Sequence, residues 1–444
     1  MKLKFLAFLL LILFLAPILA QEEKKVTFDE AVSIALENNN LLASAKNQIE
    51  KAKGAKLEAF SYRFPKLDLS LSYSRTDNPV YVFMGKLTQE QFSMMDFAID
   101  HLNNPSPLTN YQGRISFALP IYTGGKIASY NRASNFGLKV SENKFKEAKE
   151  SVIEGVTNAF YGALLASQAV KVYEEAVATA REHERQISLM HKEDLVLDSD
   201  LLRMKVYLKD VEQELLSKKV DYEIAKSYLS YAMGVDYQAV PDGDLTTSYQ
   251  IVNSDLETLI KIGEAQRGEL LAMENLLNQA KEGVKIKRAD YFPQIGFGAS
   301  YERDYTKEGD FGKNWMVGIE VKIPIFDAGQ RKGALIQAKS DELSAESYLA
   351  DLRLKTDLEI KESYLKLKAS EEKIKVSESQ LEQAKENQRI VSKRYEEGLA
   401  NITELLDADI TVTATALSRS KAYFDALSQK AKLAKSVGGA SFVN

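Results

Sequence analysis

Four short segments of the chain alternate apolar residues with small or polar ones. In the first, Leu67 to Tyr73, leucine or tyrosine fills every odd position and aspartate or serine fills every even position. A period of two residues is typical of a β-strand with one apolar face. The pattern predicts four strands, at about residues 66–75, 112–120, 294–303 and 315–324.

Two much longer segments space their apolar and small residues alternately three and four positions apart, as Val156, Ala159 and Ala163 illustrate. This seven-residue repeat is typical of coiled-coil packing. It predicts long helices at about residues 126–192 and 329–396, each roughly 100 Å long at a rise of about 1.5 Å per residue. Shorter helical patterns predict half-length helices at about residues 27–61, 199–234, 254–290 and 403–436.

Local signals predict where several of these elements begin. The segments 27–30 and 254–257 fit capping boxes, in which Thr27 or Ser254 and a glutamate three residues later satisfy free backbone donors at a helix start.

Residues 75–112 lack periodicity and contain three prolines. They predict a loop with one short helix near 88–100.

The chain contains the same plan twice. Pro324 lies 204 residues after Pro120, and Thr403 lies 204 residues after Ser199. An internal repeat of this kind outweighs the domain count that length alone suggests. We predict an export signal at 1–20, a first repeat at 21–234, a linker at 235–253, a second repeat at 254–436 and a flexible tail at 437–444.

The first 20 residues have the composition of an export signal. Lys2 and Lys4 precede an apolar run from Phe5 to Ala16, which is too short to anchor the chain in a membrane. No later run of about 18 apolar residues exists, so we expect no membrane-spanning helix.

Composition excludes several classes of function. The net charge of −5 gives no reason to expect nucleic-acid binding, and the absence of cysteine excludes disulfides, cysteine metal sites and a lipid anchor through cysteine. His183 and His191 lie eight residues apart on a charged helix, which predicts a solvated face rather than a metal site. Because no phosphate loop or nucleophile elbow is present, we expect neither an enzyme nor a bound cofactor.

The alternating strands fit a membrane barrel with a wet interior, although a half-buried soluble sheet alternates in the same way. The export signal, aromatic residues at both ends of the strands, and helices too long to wrap a compact sheet favour the membrane. Four strands cannot close a barrel, and lipid does not tolerate open sheet edges. We therefore expect several copies of the chain to share one barrel that continues as a helical tube.

Three segments carry a specific resemblance: LPIYTGGK at 119–126, IPIFDAGQR at 323–331 and YEEGLANITELLDAD at 395–409. With them, the chain resembles the TolC-like outer-membrane efflux proteins over essentially its whole mature length. The resemblance implies a homotrimer with a twelve-stranded β-barrel in outer-membrane lipid and a helical tunnel across the periplasm. It also implies two partners, a periplasmic adaptor protein and an inner-membrane pump of the RND or ABC type.

The resemblance also assigns roles to residues. Tyr395, Glu404 and Asp407 would form a periplasmic gate, the last two as acidic rings on one helical face. An alternative is that acids in a first turn simply favour the helix N-terminus. The turns that contact the adaptor would be exposed and would use Leu195, Val196, Leu197, Ser199, Gly398, Leu399, Ile402 and Thr403. The junctions between barrel and helices would lie at Pro65, Pro120, Pro293 and Pro324.

One departure from the family pattern and one rival function stand beside this interpretation. Ala400 occupies the position where TolC itself has an arginine that helps to hold the closed state, which puts that contact in doubt here. The rival is a periplasmic coiled-coil adaptor or scaffold. Such a protein would have one helical hairpin flanked by β-rich modules, whereas this sequence predicts two hairpins and four alternating strands.

Overall fold

The computed structural model describes residues 23–249, 253–306, 308–309 and 311–439. The fold is mostly helical with few strands, and the predicted fold class is confirmed in that form. The predicted signal at 1–20 and residues 440–444 of the predicted tail lie outside the described residues. A search of the helices within those ranges finds no candidate membrane span.

Helices account for most of the described chain. The two longest, α5 and α10, each contain 67 residues. In chain order the helices are α1 Phe28–Asn38, α2 Asn40–Ser61, α3 Pro79–Thr88, α4 Ile99–Asn103, α5 Lys126–Lys192, α6 Asp198–Met233, α7 Leu245–Ser248, α8 Leu256–Gln266, α9 Gly268–Ala289, α10 Gln330–Glu396 and α11 Ile402–Ser436, with a 3₁₀ turn at Met94–Phe97.

Four strands form an antiparallel sheet in the order β2-β3-β5-β6. They lie at β2 Lys66–Thr76, β3 Leu108–Tyr122, β5 Gln294–Tyr305 and β6 Phe311–Lys322. The predicted strands lie within these ranges, except that Ile323 and Pro324 follow β6. A second, parallel pair joins β1 Glu23–Val26 to β4 Gln238–Pro241. The expectation of four strands was therefore two short strands too few for the described residues.

The register of the four-stranded sheet separates its two faces. Leu69, Ile115, Tyr301 and Trp315 lie opposite one another in one row, as do Leu67, Phe117, Ala299 and Val317; these rows define the apolar face. The alternate rows define the polar face and contain Ser70, Arg114, Glu302 and Asn314, and Asp68, Ser116, Ser300 and Met316. Large side chains of the apolar face are exposed on β2 and β6, including Leu69 and Trp315.

Two predicted half-length helices are each interrupted. The predicted helix at 27–61 breaks at Asn39, where the backbone is extended, and the one at 254–290 breaks at Arg267 in the same way. Asn39 caps the next helix by accepting a hydrogen bond from the backbone N–H of Leu41 at 2.9 Å. The breaks lie 228 residues apart, the same offset that separates Pro65 from Pro293. Apolar periodicity missed them because it continues on both sides.

Three further boundaries differ from the sequence predictions. Thr27 forms the predicted capping box, but the cap of α8 is Asp255, not Ser254, and Asp255 accepts from the N–H of Thr258 at 2.9 Å. The predicted linker at 235–253 contains β4 and α7. The first loop contains α3, the 3₁₀ turn and α4 rather than one helix at 88–100.

The chain divides into two compact units, and each takes segments from both predicted repeats. Unit 1 comprises the described residues within 23–48, 142–272 and 350–439, and unit 2 comprises those within 49–141 and 273–349. Unit 1 contains long stretches of α5 and α10 with α6 and α11; the four-stranded sheet lies in unit 2. Among the described residues, the three clusters of buried apolar side chains all lie in unit 1.

Candidate functional site

Two helix turns in unit 1 have the same backbone design. Residues 193–197 join α5 to α6, and residues 397–401 join α10 to α11. Asp194 and Gly398 both have a left-handed backbone, with φ of 55° and 72°. The next N–H, from Leu195 or Leu399, donates to a carbonyl five residues earlier at 2.9 and 2.7 Å. Each long helix therefore ends in a compact turn that satisfies its last carbonyls.

A cluster of buried apolar residues lies beneath both turns. Its members come from α5, α6, α10 and α11 and include Ile187, Met204, Val391, Leu405 and Leu406. The same cluster contains Tyr395 and Ile402, and Val196 packs against it. Ile402 is only 4% exposed, so the expectation that it is an exposed apolar residue of the turn is wrong.

The remaining predicted turn residues are exposed. Leu195, Leu197 and Leu399 are 69%, 70% and 64% exposed, which is unusual for leucine unless another surface covers it. Ser199, Gly398 and Thr403 are also exposed. Thr403 Oγ1 accepts a hydrogen bond from Arg203 Nη1 at 2.5 Å, which links the second turn of α6 to the first turn of α11.

The two predicted gate acids are exposed on one side of α11, in its first turns. Glu404 takes part in the helix cap: its N–H donates to Asn401 Oδ1 at 3.0 Å, and its Oε1 accepts from Asn401 Nδ2 at 2.8 Å. The helix therefore starts after Asn401, not at Thr403 as predicted. For Glu404, the alternative role as a first-turn acid has direct contacts in its support, whereas Asp407 lies beyond the cap.

Four helices of unit 1 each contribute one residue to a polar site around the buried Asp409, which the sequence prediction missed. Asp409 on α11 accepts from Gln388 Nε2 of α10 at 2.8 Å, and His183 Nε2 of α5 lies 3.4 Å from its second oxygen. Tyr207 of α6 is half-buried and close enough to Asp409 for its charge to affect the tyrosine pKa. The charged sequence neighbours of His183 predicted a solvated face. That prediction is wrong, because the His183 side chain is only 14% exposed. The sequence signal that could have revealed this site was Asp409, an acidic residue among the buried apolar residues of α11.

Two members of this polar site, His183 and Tyr207, have shifted pKa values. Burial alone would lower the pKa of His183, but the negatively charged carboxylate of Asp409, 3.4 Å from Nε2, raises it above its usual range. Burial, and then the charge of Asp409, raises the pKa of Tyr207. The charge of Asp409 therefore favours the protonated form of His183 and the neutral form of Tyr207. His191, by contrast, contacts Asp198 at 2.5 Å and belongs to a different contact.

Within unit 2, the predicted junction prolines adjoin the strands. Pro65 and Pro293 directly precede β2 and β5, Pro120 lies in β3 beside a register shift, and Pro324 follows β6. Gly124, with φ of 62°, opens the turn into α5, where an added Cβ would lie 2.8 Å from both Ala289 O and Phe292 Cβ. This close approach explains why glycine occupies the turn.

Comparison with protein families gives a match that covers most of the chain. The model of the outer membrane efflux protein family matches residues 31–192 and 259–439. The alkaline protease secretion protein AprF of Pseudomonas aeruginosa is 20% identical over 335 residues, which cover 73% of this chain and 69% of AprF. Protein CyaE of Bordetella pertussis is 21% identical over 302 residues, which cover 66% of this chain and 63% of CyaE.

Solved structures share the fold. The CmeC outer membrane channel of Campylobacter jejuni aligns with a TM-score of 0.78 and 19% identity over 93% of this chain and 86% of CmeC. CusC, whose structures concern transmembrane channel formation, aligns with a TM-score of 0.80 and 16% identity over 93% of this chain and 92% of CusC. The open state of the MtrE outer membrane channel of Neisseria gonorrhoeae aligns with a TM-score of 0.76 and 18% identity over 93% of this chain and 89% of MtrE.

Proposed function

The chain belongs to the outer membrane efflux protein family, and on this premise we propose that it is the outer-membrane exit duct of a tripartite efflux or secretion system. Substrates would pass from an inner-membrane pump and a periplasmic adaptor through this chain to the outside. The pump would be of the RND or ABC type. The chain would stand in outer-membrane lipid with a long periplasmic extension.

The sheet is the observation that carries this proposal. It has two open edges, β2 and β6, and its apolar face is exposed on both of these strands. In water such a face is costly, and in lipid unpaired edges are costly. Both costs disappear if three copies join edge to edge into a closed twelve-stranded barrel with the apolar face towards lipid. We therefore propose a homotrimer.

Reconstitution tests the duct. We expect purified protein to require detergent, to run as an oligomer that heat dissociates, and to carry ion current across a planar lipid bilayer. A water-soluble monomer that carries no current would overturn the proposal and leave the adaptor or scaffold function.

We propose that Leu195, Leu197 and Leu399 contact the adaptor, because all three are exposed at the paired turns. Val196 and Ile402 would support these turns from within. Replacing the three leucines with glutamate should abolish co-purification with the adaptor and pump, while the oligomer and its conductance persist. Leu216→Glu is the control, since it replaces a leucine of α6 that is 66% exposed but lies away from both turns. Intact assembly with the triple variant would refute this contact.

We propose further that Glu404 and Asp407 form acidic rings at the periplasmic entrance, beside the buried Tyr395. Both carboxylates lie on an exposed surface, and threefold symmetry would repeat each one around the axis. The double variant Glu404→Gln/Asp407→Asn should weaken block of the pore by multivalent cations. The control Glu342→Gln/Glu346→Gln removes the same charge from α10. If multivalent cations block the double variant as strongly as the unaltered chain, the acidic rings are refuted and the role of Glu404 is limited to capping the helix.

A further inference from the structure

The connection between β2 and β3 is much larger than a strand connection requires. It spans residues 77–107, whereas residues 306–310 are enough to connect β5 to β6. Both connections close the same kind of antiparallel pair, because Thr76 lies opposite Leu108 and Tyr305 lies opposite Phe311. We call residues 77–107 the plug segment.

The plug segment has its own internal order. Val82 is buried, and Phe92 packs edge-on against both Phe83 and Phe97 with ring centroids 4.7 and 5.1 Å apart. An ion pair joins Lys86 to Asp96. The Lys86 ammonium, followed by the backbone N–H of Ser93, lowers the pKa of Asp96 to about 2. These contacts hold the segment in one shape rather than as a loose loop.

The plug segment lies on the polar face of the sheet. Gly312 shares a row with Gln112 and Asp304 on that face, and an added Cβ there would lie 2.0 Å from Thr88 O. Gln89 is buried and donates to Thr109 O at 2.9 Å and to Asn110 Oδ1 at 3.0 Å.

The segment also reaches the far edge of the sheet. Asn314 Nδ2 donates to Thr88 O at 3.2 Å, and Glu90 Oε1 accepts from the N–H of Lys313 at 3.2 Å. Beneath it, Asp304 is fully buried and accepts from Asn110 Nδ2 at 2.7 Å and Gln112 Nε2 at 3.1 Å. The segment thus crosses the sheet from β3 to the edge strand β6.

The plug segment exposes many large apolar side chains, although it covers a polar face. Six of its exposed large side chains are Val80, Tyr81, Met84, Met94, Met95 and Ile99. In a barrel whose apolar face meets lipid, the polar face lines the water-filled interior. An apolar surface held inside a water-filled space is costly unless another apolar surface covers it.

We propose that the plug segments of three copies pack against one another through these apolar side chains and close the outer mouth of the duct. The proposal rests on the proposed trimeric barrel, which brings the three segments to one axis. Each segment crosses its own sheet from β3 to β6, so three of them would surround the opening. In the trimer, the apolar surface of each plug segment is covered by the same surface of the other two copies. The segments would have to separate before a substrate could leave the duct.

Cysteine cross-linking tests contact between the segments, since the chain contains no cysteine of its own. Met95→Cys should form a disulfide between copies under mild oxidation, because residues that meet on an axis can bring their Cα atoms within about 7 Å. Leu69→Cys is the matched control: Leu69 is 68% exposed and Met95 is 72% exposed, but Leu69 lies on the apolar face of the sheet. No cross-link at Met95, or equal cross-linking at Leu69, would overturn the contact.

Conductance tests closure. Residues 77–107 are replaced by the five residues of the second connection, Thr-Lys-Glu-Gly-Asp, which join an equivalent pair of strand ends. We expect a several-fold rise in single-channel conductance in planar bilayers. Met94→Asp/Met95→Asp keeps the full segment and should raise conductance in the same direction, because like charges would meet at the axis.

The outcomes separate this proposal from the proposed function. If the unaltered chain conducts and neither variant conducts more, the plug is wrong and the duct stands. If neither the unaltered chain nor any variant carries current, the proposed duct function is wrong, and the proposed plug, which depends on it, is wrong as well.

Discussion

The helical unit and the sheet unit of this chain treat apolar side chains in opposite ways. In unit 1, seam residues of the long helices such as Val156, Ile360 and Leu367 are fully buried within clusters. In unit 2, β2 and β6 leave Leu67, Leu71 and Ile319 mostly exposed. Within one copy of the chain the helices bury these seam residues, whereas the sheet leaves its apolar face on β2 and β6 exposed. Apolar alternation alone does not distinguish these two outcomes.

The largest expected effect is loss of a buried seam residue. Leu367→Ala should lower the free energy of unfolding by about 2–5 kcal/mol, because it removes packed methyl groups and leaves a cavity. Leu367 is 0% exposed, and Leu365 on the same helix is 55% exposed. Urea unfolding followed by far-UV circular dichroism checks both variants. An equal loss for Leu365→Ala would show that another copy covers that side of α10.

A charge on the apolar face of the sheet should come next. Ile319→Arg is expected to cost about 2–4 kcal/mol per chain if it lies near the bilayer midplane, and to reduce the yield of heat-dissociable oligomer in lipid vesicles. The control is Met316→Arg on the same strand, since Met316 and Ile319 are 69% and 67% exposed on opposite faces. Equal yields would show that the apolar face does not meet lipid.

Unit 2 also depends on close backbone fits. Gly124→Ala should cost about 1–3 kcal/mol, because the left-handed φ is strained for alanine and the new Cβ would press on Ala289 O and Phe292. Gly125→Ala has the same kind of φ, 85°, but no heavy atom within 4 Å of the added Cβ. It should cost less than Gly124→Ala. A thermal unfolding series measures the difference, and equal melting temperatures would rule out the steric contribution.

The smallest expected effect is a pH dependence within unit 1. Asp409 raises the pKa of His183 in the folded state. The stabilisation that protonated His183 contributes is therefore complete below its unfolded-state pKa of about 6.5, and it is lost as pH rises through its folded-state pKa. Unfolding free energies of the unaltered chain and of His183→Gln, measured from pH 6 upward in steps of about one unit, should converge at high pH. A constant difference across that range would mean that His183 does not bind its proton more tightly in the folded state.

Patterns that depend on neighbours along the chain were sufficient for much of this fold. The period of two in residues 67–73 located a strand and its apolar face, and the heptads located α5 and α10. The capping box at Thr27 formed as predicted because both of its partners lie within four residues. These features depend on local geometry, which a sequence states directly.

Contacts between distant segments were not accessible in the same way. The pairing of β1 with β4 joins residues more than 200 positions apart, and nothing in either four-residue strand indicates its partner. Ile402 looked exposed because it lies beside a turn, yet the helices beneath bury it. His183 looked solvated because its sequence neighbours are charged, although its side chain points to Asp409 on another helix.

The sequence by itself determined which residues form strands and long helices, where the plan repeats and which side of each strand is apolar, because backbone periodicity and capping act over a few residues. Only the tertiary structure decided that the segment at 77–107 folds over the polar face, that Asp409 and His183 meet, and which residues of the turns stay exposed. Those outcomes depend on close packing between elements that are distant along the chain, and packing depends on three-dimensional position rather than on residue order.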